Sequence, residues 1–169
     1  MSNRTTTLKG NPLDLTGPEL KVGDAAPDAV LRKDLVSDIK LSEIPGAKLL
    51  SVVPSVDTPI CALQTKRFNE EAAKLPGVTF VTISADLPVA LSRFCGAENI
   101  DPEKLICLSD HKDIDFGQKY GTLVPGLRIE CRALFVVDQD NVLRHVEYVP
   151  EIADHPNYDA ALDCAKNLA

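Results

Sequence analysis

The sequence predicts an α/β fold: a central mixed β-sheet flanked by helices on both faces, preceded by an N-terminal β-hairpin. Three observations predict it. Short β-rich apolar runs alternate with segments of helical spacing, a late pair of such runs flanks an Asp-rich turn, and the chain closes on one more helical pattern. With 169 residues and 44% hydrophobic content, the chain is long enough for one well-packed core, and residues 1–169 are expected to form a single domain.

Each element has a local reason. Thr5 to Lys9, a Gly10-Asn11-Pro12 turn and Leu13 to Thr16 read as the opening hairpin. Pro18, Gly23 and Pro27 mark a loop, and a short strand is expected around Ala29 to Arg32. Lys48 to Val53 is a buried strand stopped by Pro54. From Ile60 to Leu75 the spacing is helical, with Cys61, Thr65, Phe68, Ala72 and Leu75 on one face and a Glu70–Lys74 pair on the wet side. Pro76-Gly77 ends that helix, Val78 to Ile83 is a second strand, Pro88 opens a helix through Cys95, and Leu105 to Leu108 is a third strand. Ile114 to Tyr120 reads as a short helix closed by Gly121. Ala133 to Val137 and Val142 to Val149 flank the turn Asp138 to Asn141, and the last helix runs from about Tyr158 to Leu168.

Charge and composition exclude several classes. A net charge of −7 repels nucleic-acid backbones and anionic membranes, and no basic run offsets it. The N-terminus lacks the apolar core of a signal peptide and no stretch approaches membrane-spanning length, so a cytoplasmic protein is expected. The five cysteines, at 61, 95, 107, 131 and 164, include no C-x-x-C. An odd count in a chain of this size argues against a disulfide scaffold, and the spacing argues against a zinc knuckle or a vicinal dithiol. His111, His145 and His155 are scattered, and Asp110 to Asp115 lacks calcium-loop spacing and reads as a solvated helix start.

The chemically informative segment is Pro54-Ser55-Val56-Asp57-Thr58-Pro59-Ile60-Cys61, between a buried strand and a helix. Thr58 is a good N-cap and Pro59 suits the first helical position. Cys61 then falls in the first turn, where unpaired N–H groups and the positive end of the helix dipole favour the nucleophilic thiolate. The Thr58 hydroxyl, one turn back, is able to reach the Cys61 backbone or sulfur.

Pro54-x-x-x-Thr58-x-x-Cys61 resembles the active-site signature of peroxiredoxins. Ser84-Ala85-Asp86-Leu87-Pro88 followed by Ser92-Arg93-Phe94-Cys95-Gly96, with Cys61 and Cys95 34 positions apart, is similar to an atypical two-cysteine subfamily. That resemblance covers essentially the whole chain and implies a thioredoxin-like fold and a thiol-dependent peroxidase without metal or organic cofactor. It implies that Cys61 is the peroxidatic cysteine, passing through a sulfenic acid, and that Cys95 is the resolving cysteine, closing a Cys61–Cys95 disulfide. Thr58 resembles the hydroxyl that holds sulfur and peroxide oxygen, Pro54 the residue that shields the thiolate, and Arg132 the guanidinium beside the sulfur. The resemblance further implies hydrogen peroxide and alkyl or lipid hydroperoxides as substrates, thioredoxin as reductant, and a homodimer. Because Cys61 and Cys95 need not lie within disulfide range in the reduced fold, local unwinding around one or both is expected during turnover.

Cys107 and Cys164 read as core filler; Cys131, directly before Arg132, is expected to point to the opposite face of the strand, and if its sulfur faced the site it would compete as resolver or alter selectivity. Two other functions are compatible with a reactive Cys61: a peroxide-sensing switch without efficient turnover, and a cysteine hydrolase with a distant histidine as base.

Overall fold

The computed structural model describes residues 4–169. Its centre is a seven-stranded mixed sheet. The middle consists of β5 (Ala47–Val52), β6 (Val78–Ser84) and β7 (Leu105–Ser109), which run parallel in the order β5-β6-β7. Every residue of β5 is buried, as expected of a parallel strand covered on both faces. Beyond β5 lie β10 (Ala133–Val137) and then β11 (Leu143–Tyr148), each antiparallel to its neighbour. Beyond β7 lie β3 (Val30–Arg32) and the edge strand β4 (Asp38–Lys40), also antiparallel.

Side-chain alternation along these strands divides the core. Leu49, Phe80 and Leu134 point to one face, where they meet α1 (Pro59–Ala72), α2 (Pro88–Ala97) and α4 (Tyr158–Lys166). Leu50, Val81 and Phe135 point to the other face, against Phe116 and Tyr120 of α3 (Asp115–Tyr120). Cys61 belongs to the first face, and Cys95, Cys107 and Cys164 pack against it.

The N-terminal hairpin is present with its turn shifted. β1 (Thr5–Leu8) and β2 (Asn11–Asp14) are joined by Lys9 and Gly10, at φ 51 and 81, the paired positive φ of a two-residue type I′ turn. Asn11 and Pro12 therefore lie in the strand, Pro12 opposite Thr7. The hairpin grips a distant segment: Thr7 N donates to Pro150 O at 2.9 Å and Ile152 N to Thr7 O at 2.8 Å. Ile152 is one of the residues that hold Arg132.

Smaller departures have equally local causes. Ile114 adopts φ 51, so α3 begins at Asp115, and Gly121 at φ 69 closes it. Lys74 pairs with Glu71 at 3.2 Å, not with Glu70, and Arg67 Nε lies 3.7 Å from the same carboxylate. Asp110 starts the α3 turn by accepting from Phe116 N and Gly117 N, but it is buried rather than solvated. The pairs β8 (Leu123–Val124) and β9 (Ile129–Glu130) add a small ribbon that the alternating pattern is too short to signal. Among the described residues no helix is long and apolar enough to cross a membrane.

Candidate active site

Cys61 sits where β5 hands over to α1. Val53 and Pro54 end the strand buried, Val53 N donating to Ile83 O at 3.0 Å. Thr58 is the N-cap, Pro59 the first helical residue, and Cys61 therefore the third. Its side chain is fully covered, and all five cysteines are free.

Arg132, immediately before β10, reaches across to this helix and is itself buried. Its three nitrogens serve three acceptors. Nη2 donates to Cys61 Sγ at 3.2 Å, Nη1 to Gln64 Oε1 at 2.8 Å and Nε to Ile152 O at 2.9 Å. The planar fork of a guanidinium satisfies such a set in one orientation. Gln64 Nε2 in turn donates to Ser51 Oγ of β5 at 2.7 Å, and Thr65 Oγ1 bonds Cys61 O at 2.9 Å. Gln64 completes the site, yet the sequence does not single it out. The available signal is a polar residue three positions after Cys61 on the apolar face.

Asp86, in the Ser84-Ala85-Asp86-Leu87-Pro88 motif, ties the two cysteine-bearing segments together. Its carboxylate accepts from Ser55 Oγ at 2.8 Å, Val56 N at 2.9 Å and Ser84 Oγ at 2.7 Å, while its own carbonyl accepts from Ser109 Oγ. On the surface, Arg93 of α2 pairs with Asp57 at 2.8 Å, and Lys66 of α1 with Glu98 at 3.3 Å. A groove of about 260 Å³ runs between the start of α1 and α2, lined by Val56, Thr58, Pro59, Ala62 and Phe94 among others. Thr58 is exposed there, and its hydroxyl donates to Ser55 O at 3.0 Å rather than to Cys61.

The remaining cysteines divide differently from the sequence expectation. Cys164 is half-buried against the core, and burial raises its thiol. Cys131 packs in a separate cluster with Leu15, Val124 and Ile152, and burial followed by the nearby Glu130 carboxylate pushes its thiol up to about 12. Cys107 is more than core filler: its sulfur lies 3.1 Å from Cys95 Sγ. That contact lowers the Cys95 thiol despite its partial burial, and holds the Cys107 thiol far above the ordinary range, with burial adding to it. Thus Cys61 and Cys95 engage different partners. No histidine supplies Cys61 with a base among the described residues: its side-chain polar contact is Arg132, while His155 Nδ1 bonds the Tyr158 hydroxyl at 2.7 Å. Tyr158 stands close enough to this cluster that Arg132, Arg67 and Cys61 all bear on its hydroxyl, whose pKa is raised chiefly by burial.

A covered thiol at a helix start, bonded by a buried guanidinium and carried on a mixed sheet of this topology, is the arrangement of a thiol-based redox protein. The chain belongs to the redoxin family, whose profile matches residues 21–162. Within that family its relatives are peroxiredoxins. A thiol peroxidase of Bacillus subtilis is 46% identical over 163 residues, covering 96% of each chain. One from Oceanobacillus iheyensis is 48% identical, covering 96% of this chain and 97% of the other. A crystal structure of a peroxiredoxin-like protein from Aquifex aeolicus superposes with a TM-score of 0.89 at 40% identity, covering 98% of both chains.

Proposed function

We propose that this chain reduces hydrogen peroxide and organic hydroperoxides to water or an alcohol, with Cys61 as the attacking sulfur. The observation that carries the reading is the Arg132–Cys61 contact at 3.2 Å. A guanidinium N–H on the sulfur is also within reach of the oxygen that the sulfur attacks, where it stabilises charge developing as the O–O bond breaks. The Cys61 sulfur takes the distal oxygen as a sulfenic acid, and the remaining oxygen leaves as alcohol or water after protonation. The Thr58 hydroxyl, whose proton is directed to Ser55 O, keeps its lone pairs available to accept from the hydroperoxide O–H. Pro54, buried at the end of the strand that leads to Cys61, is read as the residue that shields the thiolate. The groove beside Thr58 has apolar walls in Val56, Pro59, Ala62 and Phe94, which suits an alkyl group on the substrate.

In the second half of the cycle the Cys95 thiolate attacks the Cys61 sulfenic acid, forming the intramolecular disulfide and releasing water. Cys95 Sγ lies on Cys107 and Cys61 Sγ on Arg132, so both sulfurs leave these partners to form the bond, and α2 is read as loosening to bring Cys95 to Cys61. A thioredoxin-type dithiol then reopens the disulfide by exchange, and the working form is a homodimer in the cytoplasm.

The test is hydroperoxide consumption supplied with thioredoxin, its reductase and NADPH. Turnover is expected to vanish in Cys61→Ser and to lose its coupling to thioredoxin in Cys95→Ser. Undiminished turnover in Cys61→Ser refutes the assignment, and stoichiometric oxidation of the native protein without cycling identifies a sensor instead.

A further inference from the structure

We propose that Cys107 is a third redox cysteine, which takes the oxidised state from Cys61 by exchange and stores it as a Cys95–Cys107 disulfide. The inference rests on the Cys61–Cys95 chemistry above and extends it.

Two observations carry it. The first is that the sulfurs of Cys95 and Cys107 lie 3.1 Å apart with α2 intact and β7 in register, about 1 Å beyond a disulfide bond length. On the cycle proposed above, a Cys61–Cys95 bond takes Cys95 off this partner and loosens α2. A Cys95–Cys107 bond is reached from the helix as it stands, so refolding of α2 drives the exchange forward. The second is that Cys95 and Cys107 line a cleft of about 330 Å³, with Pro88, Leu91, Ser92 and Ile106, and this cleft shares no lining residue with the groove beside Thr58. The stored disulfide therefore faces a reductant on a different surface from the one that admits peroxide.

The exchange is balanced without a further oxidant. Cys107 loses its proton and its sulfur attacks Cys95 Sγ. The Cys61–Cys95 bond breaks, and its electron pair leaves on the Cys61 sulfur, which is returned to the reduced state. Timing is built in. The contact with Cys95, then burial, then the Cys95 charge hold the Cys107 thiol protonated in the reduced protein. Once Cys95 is bonded to Cys61 it carries neither charge nor an accepting thiolate, and only burial remains to oppose ionisation of Cys107. Cys107 becomes a nucleophile after the first disulfide exists, not before.

The relay changes the oxidant capacity of the protein. Without a reductant, a two-cysteine chain stops after one equivalent of hydroperoxide, as Cys61–Cys95. With the relay, Cys61 is freed to react once more and ends as a sulfenic acid. The experiment is titration of the reduced native protein and of Cys107→Ser with tert-butyl hydroperoxide, followed by disulfide mapping and trapping with a sulfenic-acid probe. Native protein is expected to consume two equivalents, to yield the Cys95–Cys107 peptide pair and to carry the probe on Cys61. Cys107→Ser is expected to consume one equivalent and to hold Cys61–Cys95. One equivalent and Cys61–Cys95 in both proteins overturns the relay and leaves the two-cysteine cycle standing. Absence of Cys61–Cys95 from Cys107→Ser overturns both. A Cys95–Cys107 bond formed equally well in Cys61→Ser would show direct oxidation of the pair and likewise overturns the relay.

Discussion

Arg132 and Cys61 stand 71 positions apart in the chain, yet Arg132 Nη2 donates to Cys61 Sγ at 3.2 Å inside the core. Both side chains are buried, so the contact is formed by β10 lying against β5, where Ala133 pairs with Val52, rather than by a mobile surface arm. The same guanidinium holds Gln64 and the Ile152 carbonyl. Replacing it with Arg132→Lys keeps a positive charge but cannot serve three divergent acceptors at once. The rate of Cys61 oxidation by hydroperoxide is expected to fall by at least about tenfold in Arg132→Lys and on the order of 10²–10³-fold in Arg132→Met, in line with loss of a buried transition-state donor. Stopped-flow measurement of the oxidation step checks both; a rate unchanged in Arg132→Met removes the guanidinium from the mechanism.

Gln64 positions that guanidinium. Gln64→Leu leaves Arg132 Nη1 and Ser51 Oγ without their partners in a buried site, which is expected to cost about 1–3 kcal/mol of stability. The reaction rate should fall as well, because the guanidinium loses one of the bonds that aim it. Gln64→Glu keeps an acceptor for Arg132 and is expected to preserve more of the stability than of the rate. Denaturant unfolding paired with single-turnover oxidation separates these effects, and a Gln64→Leu protein with native rate would show that Gln64 only fills space.

Asp86 couples the loop that presents Cys61 to the loop that starts α2. Asp86→Ala strands Ser55 Oγ, Val56 N and Ser84 Oγ. The expected loss is about 1–3 kcal/mol, with faster hydrogen exchange at Val56 and the amides around it. Protection at Val56 equal to that of native protein would mean that other contacts hold the loop.

Much of this architecture was legible in local pattern. The run from Lys48 to Val53 reads as a buried strand from its unbroken apolar pattern, and Thr58-Pro59 marks the start of α1 because the proline φ is a property of a single residue; the Thr58 hydroxyl makes no cap bond to the helix and turns back to Ser55 O instead. Arg132 was reachable only through the family resemblance, since an arginine before a strand is by itself ordinary. What stayed hidden depends on tertiary neighbours. Gln64 looks like any polar helix residue until Arg132 arrives from β10. Cys107 looks like a hydrophobe in a strand until α2 packs across β7 and places Cys95 on it. The Lys9-Gly10 turn was displaced by Asn11-Pro12, a dipeptide with a strong turn signal that here lies in β2. The choice of Glu71 over Glu70 for Lys74 is one between adjacent positions of equal local merit.

The last prediction concerns pH and a carboxyl pair away from the cysteines. Glu130 is fully buried, Thr122 Oγ1 donates to its Oε2, and its Oε1 accepts from no donor among the described residues. Asp110, also buried, lies beside it. Burial first, then the hydrogen bond and charge of Asp110, raises the Glu130 carboxyl well above its ordinary range, and burial raises Asp110 too. Two ionised acceptors facing one another in the core are unfavourable, and a shared proton resolves the pair. The sign follows from proton counting. Above the ordinary carboxylate range the unfolded chain has released a proton that the folded protein retains, so the folded state binds more protons and stability falls as pH rises. The contribution is complete below the unfolded value near 4.5 and is progressively lost as pH climbs towards the raised folded value. Glu130→Gln removes the titrating group while keeping an acceptor for Thr122. It is expected to flatten this part of the stability profile, so that the variant gains on native protein with each step from pH 5 to 8. Urea unfolding across that range checks it, and parallel profiles for the two proteins would mean that Glu130 is ionised in the fold.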